Sequence, residues 1–360
     1  MLPPSPASAD VPTVVRPLAP ALWDSFIAHH PAALLYHTTD WLDLLAATYQ
    51  IRWHPLGLWE GDHMIGVFPL QTRRLGPFRL AGSPLMQTIA STPYLGPLLS
   101  GGRMADAVVA LEGFLRAQGI DHVEIAFPGP LDDLAPIVRL GYTAETCRTV
   151  VVPLAEQTPA QIWRRCSSAC RRAVRKAEAS GVEIVEAENL DFLDAYDLMC
   201  QAVYRGTGRP PHLAKQFYAA AWETLARKGR IKVFLAQHAG APIAGGIFLV
   251  YQGVISYLSG ASFDHAQPLR PNNLIQWHAI RWALDQHCSL YDLGGAVVPG
   301  ITRFKLGFGG EYLAYTRVYR ARSPLAQIGR ELYRLAIPWW RRAAQTRYLL
   351  RQSCSSRKRM

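Results

Sequence analysis

The sequence predicts an α/β fold with mixed sheets, built from one unit that occurs twice and followed by a basic helical tail. Three observations predict it. The 360 residues suffice for two domains, and 49% hydrophobic with 18% charged residues is typical of globular proteins. Helical and strand-like patterns alternate along most of the chain. Two short motifs recur in the same order in both halves.

The first predicted unit covers residues 15–155. It follows a leader, residues 1–14, that is rich in Pro, Ala and Ser and is expected to be disordered. Apolar periodicity predicts helices over Ala21–Ala28, Thr39–Thr48, Arg103–Gln118 and Leu131–Leu140. Apolar runs predict strands over Leu56–Trp59, Met64–Leu70 and His122–Phe127, the first two joined by a turn at Glu60-Gly61-Asp62.

The second predicted unit covers residues 156–320 and has the same succession of elements. Helices are expected over Pro159–Ala179, Leu190–Tyr204, Leu213–Lys228 and Asn273–His287. Strands are expected over Ile231–Gln237, Pro242–Val250, Val254–Ser259, Ser289–Leu293 and Glu311–Tyr319.

Two internal matches indicate that the units are copies. Residues 61–70 (Gly-x-x-Met-Ile-Gly-x-Phe-x-Leu) align with residues 240–249 (Gly-x-x-Ile-Ala-Gly-x-Ile-x-Leu). Residues 139–142 (Arg-Leu-Gly-Tyr) align with residues 305–308 (Lys-Leu-Gly-Phe). A period this long favours a duplicated α/β unit over a solenoid, whose repeats are shorter.

The net charge of +11 is concentrated in two places. Residues 321–360 hold ten basic residues and one acid, and residues 164–176 hold six basic residues and no acid. Such an excess is typical of proteins that contact nucleic acid, an acidic membrane or a phosphorylated substrate. The anionic partner is therefore expected at these two segments.

Several classes are excluded. No apolar run approaches the roughly 18 residues of a membrane-spanning helix, and the N-terminus lacks the basic and apolar regions of a signal peptide. The six cysteines form no Cys-x-x-Cys pair and are expected to be reduced thiols of a cytoplasmic protein. The histidines suggest neither a metal site nor a catalytic triad, and no hydrolase or kinase motif occurs. No metal and no cofactor are expected.

A set of motifs in the second half carries a family resemblance. It consists of Arg171-Arg172-Ala173-x-Arg175-Lys176, Ala241-Pro242-Ile243-Ala244-Gly245-Gly246, Pro271-Asn272-Asn273-Leu274, Tyr291-Asp292-Leu293-Gly294-Gly295 and Arg303-Phe304-Lys305-x-Gly307-Phe308-Gly309-Gly310. Together these motifs resemble the Fem-type (FemAB-like) peptidyltransferases, which attach amino acids to peptidoglycan precursors, and their GNAT-like acyltransferase relatives. The resemblance covers about residues 15–320 and implies two tandem GNAT-like units, with the active site in the second.

The resemblance implies transfer of an acyl or aminoacyl group to an amine. Backbone N–H groups at Gly245 and Gly246 are candidates for stabilising the oxyanion, if they are not simply glycines of a core strand. Asp292 is the candidate to orient the amine or accept its proton, unless it only caps the following turn. Tyr257 and Ser259 lie two residues apart on one strand and are expected on the same side, facing the acyl group; packing is the alternative for Tyr257.

Several cations are candidates for binding anionic groups. Lys305 and Arg303 precede a glycine-rich turn and could grip a phosphate or carboxylate of a nucleotide- or lipid-linked precursor. Arg209 lies in a Gly/Pro-rich loop expected to line a cleft between the units. One face of a predicted helix is expected to bind a polyanion, for which transfer RNA is one candidate. This face consists of Arg171, Arg172, Arg175 and Lys176. Solvated basic surfaces are the alternative for the Arg303–Lys305 turn and for this helical face.

The donor stays open between aminoacyl-tRNA and an acyl thioester. The stretch before the predicted helix at Asn273 lacks the glycines of a coenzyme A loop, and its Asn side chains are expected to cap the helix. The second unit also lacks room for the helical hairpin found in many Fem transferases. Three functions are therefore considered: an N-acyl or aminoacyl transferase acting on a peptidoglycan or polysaccharide precursor, an acyl-CoA- or acyl-carrier-dependent N-acyltransferase of exopolysaccharide biosynthesis, and a non-catalytic RNA- or membrane-binding module.

The tail, residues 321–360, combines an apolar stripe with basic residues and two tryptophans. This pattern suits peripheral binding to the inner face of an anionic membrane, or a helix that packs back on the body. Membrane binding would favour a lipid-linked acceptor.

Overall fold

The computed structural model describes residues 12–85, 92–205 and 213–329, and these residues form two compact units. Within these ranges the first unit contains residues 12–85, Tyr94–Cys147 and Tyr315–Ala326. The second unit consists mainly of Arg148–Ala314. Residues 1–11, 86–91, 206–212 and 330–360 lie outside the described residues, and with them most of the predicted leader, the predicted Gly/Pro-rich loop and most of the predicted tail.

The strands are β1 (Thr13–Pro17), β2 (Arg52–Glu60), β3 (His63–Leu75), β4 (Phe78–Ser83), β5 (Leu98–Leu99), β6 (His122–Ala126), β7 (Thr143–Pro153), β8 (Val182–Glu186), β9 (Ile231–His238), β10 (Ala241–Tyr251), β11 (Val254–Ser262), β12 (Leu290–Gly295) and β13 (Glu311–Ala321). The helices are α1 (Pro20–His29), α2 (Thr39–Tyr49), α3 (Met104–Ala117), α4 (Ala135–Arg139), α5 (Pro159–Arg165), α6 (Ser168–Ala179), α7 (Phe192–Arg205), α8 (Lys215–Leu225), α9 (Pro271–Asp285) and α10 (Pro299–Leu306).

The first unit is a mixed sheet with the order β1-β2-β3-β4-β6-β13. All its neighbours are antiparallel except β4 and β6, which run parallel. A parallel pair needs a crossover, which here contains α3. Buried residues of α3, among them Leu111 and Leu115, pack with Phe68, Val123 and Ile125 of the sheet to form the core.

The second unit repeats this arrangement with the order β8-β9-β10-β11-β12-β7. Among its described strands the one parallel pair, β11 and β12, is joined through α9. Ile275, Ala279 and Ile280 of α9 pack against Phe234 and Phe248 of the sheet. The prediction of two tandem units with one α/β fold is thus confirmed.

The sixth strand of each unit is supplied from elsewhere in the sequence. Strand β7 follows α4 of the first unit, yet its residues Thr149–Pro153 pair with β12. Strand β13 follows α10 of the second unit, yet its residues Arg317–Ala321 pair with β6. The compact units therefore differ by one strand each from the contiguous division at residues 155 and 320 that the sequence suggests.

The basic segment of the second unit forms two helices rather than the single predicted helix. Ser167 interrupts it, because its Oγ accepts a hydrogen bond from the Cys170 N–H and caps α6. The Arg171 guanidinium then closes the end of α5, donating to the carbonyls of Arg164 at 3.1 Å and Cys166 at 2.5 Å. The charges of Arg164 and Arg171 consequently do not lie on one helical face.

Residues 324–329 are helical, and the tail from residue 330, with its predicted membrane-binding role, lies outside the described residues. In the three described ranges no helix is both long and apolar enough to cross a membrane. Nor do the described His, Cys, Asp and Glu side chains form a group of three or more that could hold a metal ion.

Candidate active site

The candidate site lies where β11 and β12 separate. The two strands pair in parallel over three residues, ending at Ser256 opposite Asp292. Beyond this point β11 runs on to Ser262 and β12 to Gly295 without further pairing between them. Ligands of open α/β sheets bind outside the carboxyl ends of parallel strands, so this separation is a favoured position for a substrate.

Asp292 is buried at this separation and held by two hydrogen bonds. It is 2% exposed, and its Oδ1 accepts from the Thr149 hydroxyl and from the Gly294 N–H, each at 2.8 Å. Gly294 has a φ of +78°, a conformation that glycine adopts without strain and that turns its N–H toward the carboxylate. The carboxylate therefore does cap the turn, and its negative charge also raises the pKa of the one buried lysine of the described residues.

That lysine is Lys305, in the last turn of α10. Its side chain is buried, and its Nζ donates to the Gly295 carbonyl at 2.9 Å. Burial lowers the pKa of Lys305 to about 8, and the negative charge of Asp292 opposes that decrease. A lysine with a pKa in this range can both carry a positive charge and exchange its proton near neutral pH.

The structure does not bring Tyr257 to Asp292. The sheet has two distinct faces: a side chain at Gly245 would meet Tyr196 of α7, and one at Gly246 would meet Ile275 of α9. Tyr257 packs on Phe248 and hydrogen-bonds with Gln276 on the α9 face. The phenol of Tyr291 also bonds to Gln276, so the next residue, Asp292, points to the opposite face.

Tyr257 and Ser259 also lie on opposite faces, so the expectation of a shared side is wrong. Consecutive residues Ile247 and Phe248 pair with Ser259 and Tyr257, which leaves Leu258 as an extra residue in β11. Such a β-bulge breaks the alternation of side chains. Ser259 consequently faces α7 and α8, where its hydroxyl is hydrogen-bonded with those of Tyr196 and Tyr218, each at 2.9 Å.

Gly245 and Gly246 do not lie at an open backbone. Both are in the middle of β10, paired on one side with β9 and on the other with β11. Glycine is required at both positions because there is no room for a side chain. A Cβ would come within 2.9 Å of Tyr196 at Gly245 and within 2.8 Å of Ile275 at Gly246. The strands separate between β11 and β12 instead, and the proposed role of these glycines in oxyanion binding is corrected accordingly.

The predicted cations are distributed differently from the expectation. Arg303 and Lys305 lie two residues apart on a helix, so their side chains diverge, and Arg303 is exposed while Lys305 is buried. Arg172, Arg175 and Lys176 are exposed on α6, whereas Arg171 is engaged in closing α5. Arg209 lies outside the described residues.

The start of α9 also differs from the expectation. No side chain caps this helix; Arg270 occupies the cap position in a left-handed conformation, and Pro271 is the first helical residue. The Asn272 amide donates to the Ser262 hydroxyl at 3.1 Å, and the Asn273 side chain hydrogen-bonds with Cys170. These asparagines therefore fasten α9 to β11 and α6 rather than capping it.

One site residue, Thr149, and one helix, the α10 helix that carries Lys305, are missing from the sequence prediction. Thr149 lies in β7, whose assignment to the second unit depends on long-range pairing. A signal for α10 is present, because Pro299 before an amphipathic stretch is typical of a first helical turn.

Comparisons with known proteins agree with this geometry. Residues 164–306 match the family model described as acetyltransferase (GNAT) domain. The matched stretch lies within the second unit, which is therefore similar to a GNAT acetyltransferase domain. No curated protein sequence matches the chain significantly.

Three solved structures share the fold at low sequence identity. FemX has a TM-score of 0.69 at 14% identity, covering 87% of this chain and 99% of FemX. The C-terminal domain of a protein named as a lysylphosphatidylglycerol synthetase, from Agrobacterium fabrum, has a TM-score of 0.52 at 11% identity, covering 75% and 86%. A tandem GNAT protein from the clavulanic acid biosynthesis pathway has a TM-score of 0.51 at 12% identity, covering 87% and 99%.

The predicted resemblance to Fem-type, GNAT-like acyltransferases is thereby confirmed, as is the prediction of an enzyme that transfers acyl or aminoacyl groups. At sequence identities of 11–14%, the structural similarity shows a shared fold and nothing more. The identity of donor and acceptor must therefore be argued from this chain's own residues.

Proposed function

We propose that the GNAT domain transfers an acyl or aminoacyl group to an amino group of a cell-envelope precursor, with Lys305 as the residue that stabilises the oxyanion. The observation that carries the proposal is the buried Lys305 ammonium beside Asp292, at the point where β11 and β12 separate. A desolvated cation at a strand separation is suited to a negative charge that develops during reaction.

The reaction then proceeds by addition and elimination. The acceptor nitrogen attacks the acyl carbon, a C–N bond forms, and the carbonyl electrons move onto the oxygen, where the Lys305 ammonium stabilises them. When the carbonyl re-forms, the bond to the leaving oxygen or sulfur breaks. The proton that the attacking amine loses passes to that leaving group.

Asp292 acts through Lys305 as a positioning residue in this proposal. Its carboxylate raises the lysine's pKa against the effect of burial, which keeps the ammonium form populated near pH 7. The hydrogen bonds from Thr149 and Gly294 hold the carboxylate in place. Tyr257 has no direct role here, because burial raises the pKa of its phenol and its hydroxyl bonds to Gln276 on the other face.

The exposed cations of α6 support a polyanionic donor such as aminoacyl-tRNA. Arg172, Arg175 and Lys176 are solvent-exposed, and Arg175 also lies over the Trp163 ring at 5.7 Å. Contacts between such side chains and phosphates weaken steeply as salt rises. The likeness of fold to FemX and to the synthetase domain supports an envelope precursor or lipid as acceptor, and peripheral association with the membrane would serve such an acceptor.

The test is to incubate the full chain with defined donors and acceptors and to follow the mass of the acceptor. Donors are alanyl-, glycyl-, seryl- and lysyl-tRNA and acetyl-CoA. Acceptors are nucleotide-linked and lipid-linked peptidoglycan precursors, an amino sugar of an exopolysaccharide, and phosphatidylglycerol. We expect acylation of an amine-bearing precursor at a rate that falls by about 10² to 10³ in Lys305→Met. Acylation of no acceptor by the folded wild type, or an unchanged rate in Lys305→Met, would contradict the proposal.

The donor arm has a matched pair of variants. Arg172→Ala with Lys176→Ala removes two exposed charges, and should weaken tRNA binding and flatten its salt dependence. Arg116→Ala with Lys228→Ala removes two exposed charges that do not belong to α6 and should leave tRNA binding unchanged. If transfer occurs with acetyl-CoA and the α6 variant behaves as wild type, the donor is a thioester and the basic face is a solvated surface.

A further inference from the structure

The hairpin formed by β3 and β4 projects beyond the sheet of the first unit. Strand pairing of β3 with β2 ends at Thr72, and strand pairing of β4 with β6 begins at Leu80. Among the described strands, residues 73–79 therefore pair only with each other. The hairpin is closed by a two-residue turn at Gly76-Pro77, where the φ of +57° at Gly76 suits the first position of such a turn.

This projecting hairpin carries arginines that no acid compensates. Arg73, Arg74 and Arg79 lie in the hairpin itself, which contains no acidic residue. The exposed Arg52 begins the adjacent strand β2. Within the part of the chain that the structure describes, none of these four arginines forms an ion pair. The Arg79 guanidinium donates to the Gln118 carbonyl at 3.0 Å instead.

The stability of the fold does not account for this cluster. Arg74 lies directly opposite Arg79, and like charges in opposite positions of an antiparallel pair are destabilising. Basic residues do protect the edges of sheets from pairing with other molecules. However, β3 and β4 are interior strands of their sheet. An anionic partner explains the arginines better.

The tip of the hairpin, between the arginines, is apolar. Leu75 lies opposite Phe78, and the exposed Pro77 lies between them in the turn. Leu75 is 42% exposed, and Phe78 is partly buried. Such a tip has no complement on the phosphate backbone of a nucleic acid, but it suits the boundary between the head groups and the acyl chains of a bilayer.

We propose that this hairpin binds an anionic lipid bilayer, with Leu75 and Phe78 inserted at the level of the head groups and the arginines bound to lipid phosphates. Arginine can bind a phosphate through two parallel hydrogen bonds, and each cation close to an anionic membrane adds to the affinity. A second copy of the chain fits this surface less well, because both copies carry a net charge of +11. This binding deepens the proposed function and rests on it in one respect, the presence of the acceptor at the membrane.

The first test is sedimentation of the full chain with vesicles. Vesicles of phosphatidylglycerol and phosphatidylcholine in equal amounts are compared with vesicles of phosphatidylcholine alone, at about 0.15 M salt. Arg73→Gln with Arg74→Gln should weaken binding to the anionic vesicles about tenfold, and Leu75→Ser about threefold. The arginine variant should stay folded in thermal unfolding, because it relieves the repulsion between Arg74 and Arg79.

Matched controls make the same changes elsewhere. Arg227→Gln with Lys228→Gln removes two exposed charges of the second unit, and Leu198→Ser replaces an exposed leucine of α7. Each control should leave vesicle binding within about twofold of the wild type, because salt screens charges that lie more than about 8 Å from the bound surface.

A fluorescent label tests insertion at the hairpin itself. Leu75→Cys and Leu198→Cys are each labelled with an environment-sensitive dye, in a chain that also carries Cys147→Ser and Cys354→Ser. We expect spin-labelled lipids to quench the dye at residue 75 and not the dye at residue 198. Binding through the predicted tail alone would leave residue 75 in water.

Three results would overturn the proposal. Equal losses of vesicle binding in the arginine variant and its control would mean a general attraction between opposite charges. Sedimentation with vesicles but no quenching at residue 75 would mean that another segment binds. Unchanged vesicle binding of the arginine variant, with weaker binding of tRNA, would mean that the hairpin contacts nucleic acid. Acyl transfer to a soluble nucleotide-linked acceptor without hairpin-dependent vesicle binding would reject this surface and leave the proposed function standing.

Discussion

The two units share one strand order and differ where their fourth and fifth strands separate. In the first unit the chain closes this separation: the Leu95 N–H donates to Ala126 at 3.0 Å and the Gly96 N–H to Ser83 at 3.3 Å. In the second unit none of the described residues bridges β11 and β12 in this way beyond Ser256 and Asp292. One duplicated fold thus has a closed copy and an open one.

The two units also differ in the charged side chains near this separation. Matching strand positions align Asp292 with Glu124, and the internal repeat aligns Lys305 with Arg139. Glu124 forms an ion pair with Arg317 at 3.5 Å within its own sheet, and Arg139 is exposed. Burial of the cation in the second unit alone provides the desolvated positive charge that acyl transfer requires.

The largest expected effect comes from removing that charge. Lys305→Met should lower kcat by about 10² to 10³, the usual loss for an oxyanion donor. Burial lowers this lysine's pKa from 10.5 to about 8. The cost of burying its charge is fully present below pH 8 and declines between pH 8 and 10.5.

The matched variant in the closed unit is Arg139→Met. It removes an exposed cation at the position that the repeat aligns with Lys305, and it should leave kcat within about twofold of the wild type. A comparable loss of activity in both variants, measured as acylated acceptor per unit time, would mean that the units do not differ in the way proposed.

Substitutions in the first unit should lower the unfolding free energy rather than the rate of transfer. Glu112 is buried, and its carboxylate accepts hydrogen bonds from Arg322 at 2.5 Å, Tyr142 at 2.8 Å and Arg320 at 3.3 Å. Glu112→Ala leaves these partners uncompensated and should lower the unfolding free energy by about 3 kcal/mol in urea titrations. Glu145→Ala, at a more exposed ion pair with Arg317, should cost less than about 1 kcal/mol. Equal losses of unfolding free energy in the two variants would show that the hydrogen bonds of the buried Glu112 do not hold β13 in place.

A smaller effect is expected from the carboxylate beside the lysine. Asp292→Asn preserves the hydrogen bond from Gly294 but removes the charge that supports the Lys305 ammonium, so the rate should fall about tenfold to fiftyfold. Glu124→Gln makes the same change at the aligned position of the first unit and should have less than a twofold effect on the rate. An unchanged rate in Asp292→Asn would remove Asp292 from the mechanism.

The pH profile separates this positioning role from a structural one. Because the ammonium form of Lys305 is the active one, the rate of the wild type should decline as pH rises through about 8. Without the negative charge of Asp292 the lysine's pKa falls further, so in Asp292→Asn the decline should begin at lower pH. A purely structural role of Asp292 would lower the rate without changing the pH at which the decline begins.

The sequence allows much of the fold to be predicted but less of the site, for physical reasons. Helices such as α3 and α9 follow from local periodicity, and the repeat follows from direct alignment. The origin of the sixth strands depends on long-range pairing, as does the bulge at Leu258 that turns Tyr257 away from Ser259. Local motifs nominate Asp292 and Lys305, and their roles stay a prediction. The burial of the lysine depends on α10, and the clearest local signal for that helix is Pro299 at its start.

The smallest expected effect concerns Tyr257, which the sequence nominates as a catalytic residue. Its hydroxyl bonds to Gln276 on the α9 face, away from Asp292, and Tyr257→Phe removes only this one hydrogen bond. We therefore expect a loss of about 1 kcal/mol in unfolding free energy and a rate within about threefold of the wild type. A loss approaching that of Lys305→Met would show that the reacting groups lie on the α9 face. The substrate would then bind at the separation between β11 and β12 from the α9 side of the sheet.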